Sequence, residues 1–119
     1  MIEMVKASKI WSKELDILFM EKKHFLYKLY PLSPTFYSDQ NGEEKGIMQQ
    51  HTQYWMELKD KTKIIVYGSV FAPKGVYGMV VIEVESEEEA DFIAEHDPAV
   101  SSKICNYDLI PMLIGIAQK

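Results

Sequence analysis

Alternating apolar residues mark the most regular segment of the chain, Val76–Glu85. Val80 and every second residue up to Val84 fall on one face, and a period of two predicts a β-strand. Ser86 follows at once and stands three residues before Glu89, which is the spacing of a helix capping box. The pattern therefore predicts a strand that passes directly into a helix.

The helix that follows this strand carries an apolar stripe that ends in a carboxylate. The stripe consists of Ala90, Ile93, Ala94 and Asp97. Pro98 should end the helix, because the residue before a proline is pushed out of the α region. An anion at a helix C-terminus is disfavoured by about 0.3–1 kcal/mol. Asp97 is therefore either part of a helix-ending Asp-Pro turn or a carboxylate directed into a cavity, where it needs a partner.

The rest of the pattern divides into two helical segments, three strands and a long loop. Residues 72–75 are short enough to join two strands as an antiparallel hairpin. Pro111 cannot donate to a ladder, so the last strand should lie at a sheet edge. The segments are the helix Met1–Lys23, the strand His24–Leu32, the loop Ser33–Lys45, the helix Gly46–Lys61, and the strands Lys63–Phe71 and Asn106–Ile116.

The order of these elements predicts an α+β fold. After an extra N-terminal helix it reads β-α-β-β-α-β, the ferredoxin-like arrangement, in which two helices cover one face of a four-stranded antiparallel sheet. The strand Lys63–Phe71 is apolar on both alternating sets, with Ile64 and Val66 on one face and Ile65 and Tyr67 on the other. An uncovered apolar face usually marks an interface. We therefore expect a homodimer with opposed sheet faces.

Length, charge and cysteine content narrow the class of protein. A chain of 119 residues is expected to hold one compact domain, here 24–119, with 1–23 as a helical extension. The net charge of -5 disfavours a nucleic-acid partner. A single cysteine, Cys105, excludes an intramolecular disulfide and favours a cytoplasmic location. No apolar run reaches the roughly 18 residues of a membrane span, so no membrane partner is expected.

His51 is the natural partner for Asp97. It lies in the middle of the apolar stripe of the helix Gly46–Lys61, and the predicted fold packs both helices on the same sheet face. A histidine in such a stripe is either a hydrogen-bonded core residue or an acid–base group. In the long loop, Phe36 either anchors the loop or caps a ligand.

Several short motifs stand in a characteristic order along the chain: His51, Tyr54-Trp55, Leu58, Val66-Tyr67-Gly68, Pro73-Lys74-Gly75, Ser86-Glu87-Glu88-Glu89-Ala90 and Asp97-Pro98. Together they resemble the YCII-related (YciI-like) family over about residues 24–114. The resemblance implies a ferredoxin-like domain that assembles as a dimeric α+β barrel, and an active-site pair that matches His51 and Asp97. A few relatives act on breakdown products of chlorinated or hydroxylated aromatic rings, and the wider superfamily includes muconolactone isomerases.

The sequence departs from the family pattern in three places. Gly68-Ser69 stands where family members often carry Gly-Pro, close to the expected cavity, which leaves the type of substrate open. Ala72-Pro73 stands where they often carry Asp-Pro, a change that concerns only a turn. The segment Met1–Lys23 has no counterpart in the short members.

The predicted chemistry is proton transfer. A carboxylate bound to one imidazole nitrogen fixes the tautomer and raises the basicity of the other nitrogen, so the pair is suited to an isomerase or lyase acting next to a carbonyl. We expect Tyr54, Tyr67, Ser69 and Phe36 to bind the small-molecule substrate. No cofactor is expected. The possible metal ligands lack His-x-His or Cys-x-x-Cys spacing, so no metal site is predicted; they are His24, His51, His96 and Asp97.

Three classes of function stay open on the sequence alone. The first is a small cofactor-free enzyme that uses the histidine–aspartate pair. The second is a dimer that binds a small molecule in the same cavity without turnover. The third is a structural dimer in which the pair only ties two helices together, since ion pairs of this kind also occur for structural reasons.

Overall fold

The computed structural model describes residues 22–33, 36 and 38–118. The predicted N-terminal helix therefore lies outside the described residues, apart from its last two positions, and Lys23 already belongs to the first strand. The strands are β1 (Lys23–Pro31), β2 (Lys63–Ala72), β3 (Gly75–Val84) and β4 (Cys105–Met112), and the helices are α1 (Gly42–Leu58), α2 (Glu87–Glu95) and α3 (Pro98–Ser101).

The four strands form one antiparallel sheet in the order β2-β3-β1-β4. This confirms the predicted α+β architecture and is consistent with the ferredoxin-like fold, with the first and third strands in the centre. β4 lies at an edge, as its Pro111 required. It ends at Met112 rather than at the predicted Ile116, because Met112 pairs with His24 near the start of β1 and little of that strand remains to pair beyond it.

The core lies between the sheet and the two longer helices. Phe25, Tyr27 and Leu29 alternate along β1 and are buried on the helix-covered face. They pack in one cluster with Trp55 of α1 and Ile93 of α2, so both helices cover the same face. This confirms the placement that lets side chains from α1 and α2 meet. Among the described residues, no helix is long and apolar enough to cross a membrane.

α1 begins four residues earlier than predicted, at Gly42 rather than Gly46. Asn41 caps it: the Asn41 side chain accepts from the Glu44 amide at 2.8 Å, and the Glu44 carboxylate accepts from the Asn41 amide at 2.9 Å. The predicted loop Ser33–Lys45 includes Asn41 and Gly42, so the prediction missed this reciprocal capping box. The helix also ends at Leu58, before the predicted Lys61.

The predicted cap of α2 is present. The Ser86 side chain accepts from the Glu89 amide at 3.1 Å, and the Glu89 carboxylate accepts from the amide of Glu85, one residue before the cap. The prediction for the other end was wrong. α2 ends at Glu95, and Asp97 is the N-cap of α3, with Pro98 in the first turn. Asp97 therefore carries no helix C-terminal penalty, since its carboxylate faces the start of a new helical turn.

A β-bulge in β2 changes the faces predicted for that strand. Ile64 pairs with Ile82, whereas Val66 pairs with the next residue, Val81, so Ile65 is the extra residue. Ile64 therefore packs against the core on the same face as Tyr67, and Val66 lies on the opposite face. Both faces remain partly apolar, as predicted.

The sheet face opposite the helices, called the open face below, carries Leu26, Val66, Met79 and Ile110. The cross-strand pairs place these residues together, away from the core. Val66 is 47% exposed and Ile110 is 43% exposed in the described part of the chain. This is the apolar surface from which a homodimer was predicted.

Candidate functional site

Asp97 is the centre of the candidate site, and its side chain is fully buried (0% exposed). Four residues from three separate elements donate to its two carboxylate oxygens. Tyr27 and Trp55 each donate to Oδ2 at 2.8 Å, and the amide of Ala99 donates to Oδ1 at 2.9 Å. His51 Nδ1 lies 2.8 Å from both oxygens. The predicted hydrogen bond between His51 and Asp97 is therefore present.

The local sequence explains how the carboxylate reaches this position. Asp97 has an extended backbone, and its side chain folds back to cap α3 through Ala99. Because the residue before Pro98 disfavours the α conformation, the chain turns between α2 and α3 and directs the Asp97 side chain toward α1 and β1. A buried carboxylate without partners would be very costly, and the four donors remove that cost.

The geometry fixes the tautomer of His51. An ionised carboxylate can only accept hydrogen bonds, so Nδ1 must carry the proton that it shares with Asp97. In the neutral ring this leaves the lone pair on Nε2. The phenol oxygen of Tyr67 lies 3.3 Å from Nε2. His51 therefore presents a basic nitrogen on the side away from Asp97.

Asp97 stays ionised in this environment. Burial by itself raises the pKa of its carboxyl group and is the largest single effect, but hydrogen bonds from His51, Trp55 and the Ala99 amide, together with the charge of His51, outweigh it. The pKa of Asp97 therefore lies below its ordinary value of 3.8. This is the direction expected for a carboxylate that accepts several hydrogen bonds.

The tyrosines around the pair remain protonated. Burial, and then the charge of Asp97, raise the pKa of Tyr27 far above its ordinary value and raise the pKa of Tyr54 to about 12. Burial is also the main reason that the pKa of Tyr67 is raised, with Thr52 acting in the opposite direction and Asp97 adding to the increase. All three phenols are therefore available as hydrogen-bond donors at neutral pH.

A cavity of about 210 Å³ opens beside His51. It lies between α1, the loop before α1, and the strands β1, β2 and β3. The histidine ring and the Tyr67 hydroxyl lie side by side on its wall, with the hydroxyl oxygen 3.3 Å from His51 Nε2. The lining residues are Tyr27, Leu29, Gln40, Met48, His51, Thr52, Tyr67, Gly68, Ser69, Gly78, Met79 and Val80.

The structure brings some of the predicted substrate-binding residues together and separates others. Tyr67 and Ser69 line the cavity with His51. Tyr54 does not line it, and its hydroxyl donates instead to the carbonyl of Ile93 at 2.7 Å, which joins α1 to α2. Phe36 is buried but is also not among the lining residues. Binding of a substrate by Tyr67 and Ser69 stays a prediction.

Two important members of the site were missed from the sequence. Trp55 is part of the Tyr54-Trp55 motif but was given no role in the predicted site, although it stands four residues after His51 and so points the same way. Tyr27 lies on the buried face of β1, where its hydroxyl needed a polar partner. A buried hydroxyl and a buried indole N–H were the available signals, but the sequence did not show that both would meet Asp97.

Other reactive side chains do not extend the site into a metal centre. In the described part of the chain, no group of three or more histidine, cysteine, aspartate or glutamate side chains could hold a metal ion. Cys105 is buried, and burial, followed by the charge of Asp97, raises the pKa of its thiol to about 12. It is therefore a protonated core residue and a poor nucleophile.

Comparison with known families agrees with the motif analysis. A family model described as the YCII-related domain matches residues 32–113. The matched region includes His51, Asp97 and the cavity-lining strands β2 and β3, whereas β1, which also lines the cavity, lies before it. No curated protein matches the chain at a significant level.

Proposed function

Because the chain belongs to the YCII-related domain family, we propose that it is a cofactor-free enzyme whose His51–Asp97 pair transfers a proton on a small organic substrate. The observation that carries this proposal is the orientation of His51. Its Nδ1 is held 2.8 Å from a buried carboxylate, and its Nε2 lies on the opposite side of the ring, 3.3 Å from the Tyr67 hydroxyl at the wall of a cavity. A purely structural ion pair does not require the second nitrogen to border a cavity.

The proposed reaction is the shift of a double bond next to a carbonyl group. His51 Nε2 removes a proton from the carbon α to the carbonyl, and the C–H electron pair moves into an enolate. The imidazolium is stabilised by Asp97 and then returns the proton to a more distant carbon, so no oxidant or other co-reactant is consumed. In this proposal the substrate takes the place of Nε2 as the partner of the Tyr67 hydroxyl, which lies 3.3 Å from Nε2, and the hydroxyl then donates to the enolate oxygen as an oxyanion-stabilising group.

The size of the cavity supports a small substrate. Its volume of about 210 Å³ lies below the ~300–1,000 Å³ that is usual for sites binding drug-sized ligands. A single five- or six-membered ring with one or two polar substituents suits such a volume. This agrees with the ring-derived or hydroxylated compounds that the family resemblance implied.

The test is hydrogen–deuterium exchange and isomerisation of a β,γ-unsaturated five-membered lactone in D₂O, followed by NMR. We expect the wild-type protein to catalyse exchange at the carbon next to the carbonyl. His51→Gln should lower the rate by about 10²–10⁴-fold, which is the usual contribution of a general base. His24→Gln is the matched control and should keep the wild-type rate. Exchange that is absent, or equal in wild type and His51→Gln, contradicts the proposal.

A second function is supported by the saturation of Asp97. Its carboxylate already accepts from four residues and holds β1, α1 and α3 together, which is also what a structural ion pair would do. In that case the protein is a non-catalytic binding or structural homodimer. Binding of the lactone without exchange would favour this second function.

We also propose that two copies associate through the open face. The support is the exposure of Val66 and Ile110 on the sheet face opposite α1 and α2. Charged substitutions at both positions, Val66→Lys and Ile110→Lys, should convert a dimer to a monomer in analytical ultracentrifugation at micromolar concentration, because they bury unpaired cations in the interface. A wild-type protein that sediments as a monomer contradicts this part of the proposal.

A further inference from the structure

We propose that the cavity beside His51 selects an uncharged ring compound with a carbonyl group, such as a lactone, a cyclic ketone or an amide, and discriminates against carboxylates. This inference rests on the proposed function in one respect only, namely that the substrate binds in the cavity beside His51. Three features of the described residues carry it: the chemistry of the lining, the fixed charge behind His51, and the state of the nearest helix terminus.

Apart from His51, the polar side chains that line the cavity are neutral hydrogen-bonding groups. Gln40, Thr52, Tyr67 and Ser69 can donate to a carbonyl or hydroxyl group, and no lysine is among the described lining residues. The sequence contains no arginine at all, so the planar bidentate partner that proteins favour for carboxylates is missing. Among the described lining residues only His51 can become cationic, and its charge is already paired with the Asp97 carboxylate. A carboxylate in this cavity would therefore lose water without gaining an unpaired cationic partner.

The fixed negative charge of Asp97 adds to this selection. Asp97 lies directly behind His51, and its charge contributes to the raised pKa of Tyr67, a residue of the cavity wall. The field of the carboxylate therefore reaches the cavity. A second carboxylate there would experience like-charge repulsion in a partly desolvated space, where charges interact more strongly than in water.

The nearest helix N-terminus offers no compensation for an anion. Gln40 of the lining lies just before α1, which begins at Gly42, and a helix start attracts anions. This start is already occupied by the protein's own groups. The Asn41 side chain accepts a hydrogen bond from the Glu44 amide, and the carboxylates of Glu43 and Glu44 lie in the first turn. The positive end of the helix dipole is therefore neutralised before a ligand arrives.

The experiment compares furan-2-carboxamide with furan-2-carboxylate, two unreactive probes of one shape that differ in charge. Their dissociation constants are measured by titration calorimetry or ligand-observed NMR. We expect the amide to bind wild type at least about tenfold more tightly than the carboxylate, since like-charge repulsion and desolvation act together on the anion. Ser69→Lys places a cation on the wall and should reverse the preference.

A pair of glycine variants shows whether the probe occupies this cavity. Gly78 lines the cavity, and an added Cβ there would meet only the Leu29 Cβ at 3.6 Å, an ordinary van der Waals contact. Gly78→Ala should therefore reduce the cavity without strain and weaken the amide at least about fivefold, because small cavities tolerate no extra methyl group. Gly46→Ala is the control, since its Cβ would enter open space on α1, away from the lining.

The outcomes separate this inference from the proposed function. A carboxylate that binds wild type as tightly as the amide, the absence of amide binding, or an amide affinity that Gly78→Ala leaves unchanged would each overturn the inference. A strong amide preference in a protein that exchanges no lactone proton supports the inference and removes the proposed enzyme activity. Lactone exchange by a protein that shows no preference for the amide supports the proposed enzyme activity and overturns the inference.

Discussion

The described part of the chain contains two histidine–carboxylate pairs, one on each face of the sheet, and they are built differently. His24 Nε2 lies 3.0 Å from Glu83 on the open-face side, and the two side chains are 13% and 23% exposed. His51 Nδ1 lies 2.8 Å from Asp97 on the helix-covered side, and there the values are 9% and 0%. The distances are almost equal, so distance alone does not distinguish the pairs.

The surroundings distinguish them. Asp97 also accepts from Tyr27, Trp55 and the Ala99 amide, and His51 uses its second nitrogen to face a cavity. The second nitrogen of His24, Nδ1, is buried and has no hydrogen-bond partner among the described residues, and His24 does not line the cavity. A histidine–carboxylate pair therefore indicates a functional site only when the carboxylate is held in place and the free nitrogen can reach a ligand.

The largest expected difference is in stability. Asp97→Ala leaves the buried donors of Tyr27, Trp55 and His51 without an acceptor, which should cost about 3–5 kcal/mol of unfolding free energy. The matched change Glu83→Ala should cost about 0–1 kcal/mol, as is usual for a partly exposed pair. Urea unfolding of both variants checks the prediction. Equal losses would show that the two pairs are energetically alike and would end the distinction drawn here.

The next effect concerns the pH dependence of stability. Because the pKa of Asp97 is lowered in the folded state, its stabilising contribution is complete above the unfolded value of 3.8 and is lost as the pH falls through the lower folded value. Asp97→Asn should therefore be about 1.5–3 kcal/mol less stable than wild type at neutral pH, which is the range for hydrogen bonds to a charged group. The difference should shrink in acid. A difference that is constant from neutral to acidic pH would show that the ionised carboxylate is not what the donors stabilise.

The smallest effects separate two tyrosines that the sequence treated alike. Tyr54→Phe removes the bond to the Ile93 carbonyl and should cost about 1 kcal/mol of stability while leaving proton exchange on the lactone unchanged. Tyr67→Phe should do the opposite: stability within about 0.5 kcal/mol of wild type, as for an exposed position, and exchange at least about tenfold slower, because the donor to the enolate oxygen is lost. If exchange is slower in Tyr54→Phe but unchanged in Tyr67→Phe, then Tyr54 and not Tyr67 contacts the substrate, and the assignment proposed above is wrong.

The sequence predicted the scaffold well because its signals were local and periodic. The β3–α2 junction carries its cap at Ser86, and the alternation along β3 and the stripe that contains His51 set the faces of the elements. The pairing of His51 with Asp97 then followed from placing two helices on one sheet face. The prediction depended only on which face of each predicted helix points toward the sheet. It did not depend on the residue at which either helix ends.

Features decided by tertiary packing were not predictable in the same way. An Asp-Pro sequence is equally typical of a helix-ending turn and of the start of a new helix, and the second occurs at Asp97 because its carboxylate is anchored by distant donors. The bulge at Ile65 has no local marker such as glycine. The donors Tyr27 and Trp55 read as ordinary core aromatics until their polar atoms were placed in space.

The most direct test of the central claim is the tautomer of His51, read from long-range ¹H–¹⁵N NMR of the imidazole rings at mildly alkaline pH. The chain has only three histidines, and the His51 signals are assigned by their loss in His51→Gln. The account predicts a proton on Nδ1 and a lone pair on Nε2 for His51, and a proton on Nε2 for His24, whose Nε2 faces Glu83. A neutral His51 with its proton on Nε2 would contradict the account, because no basic nitrogen would then face the cavity.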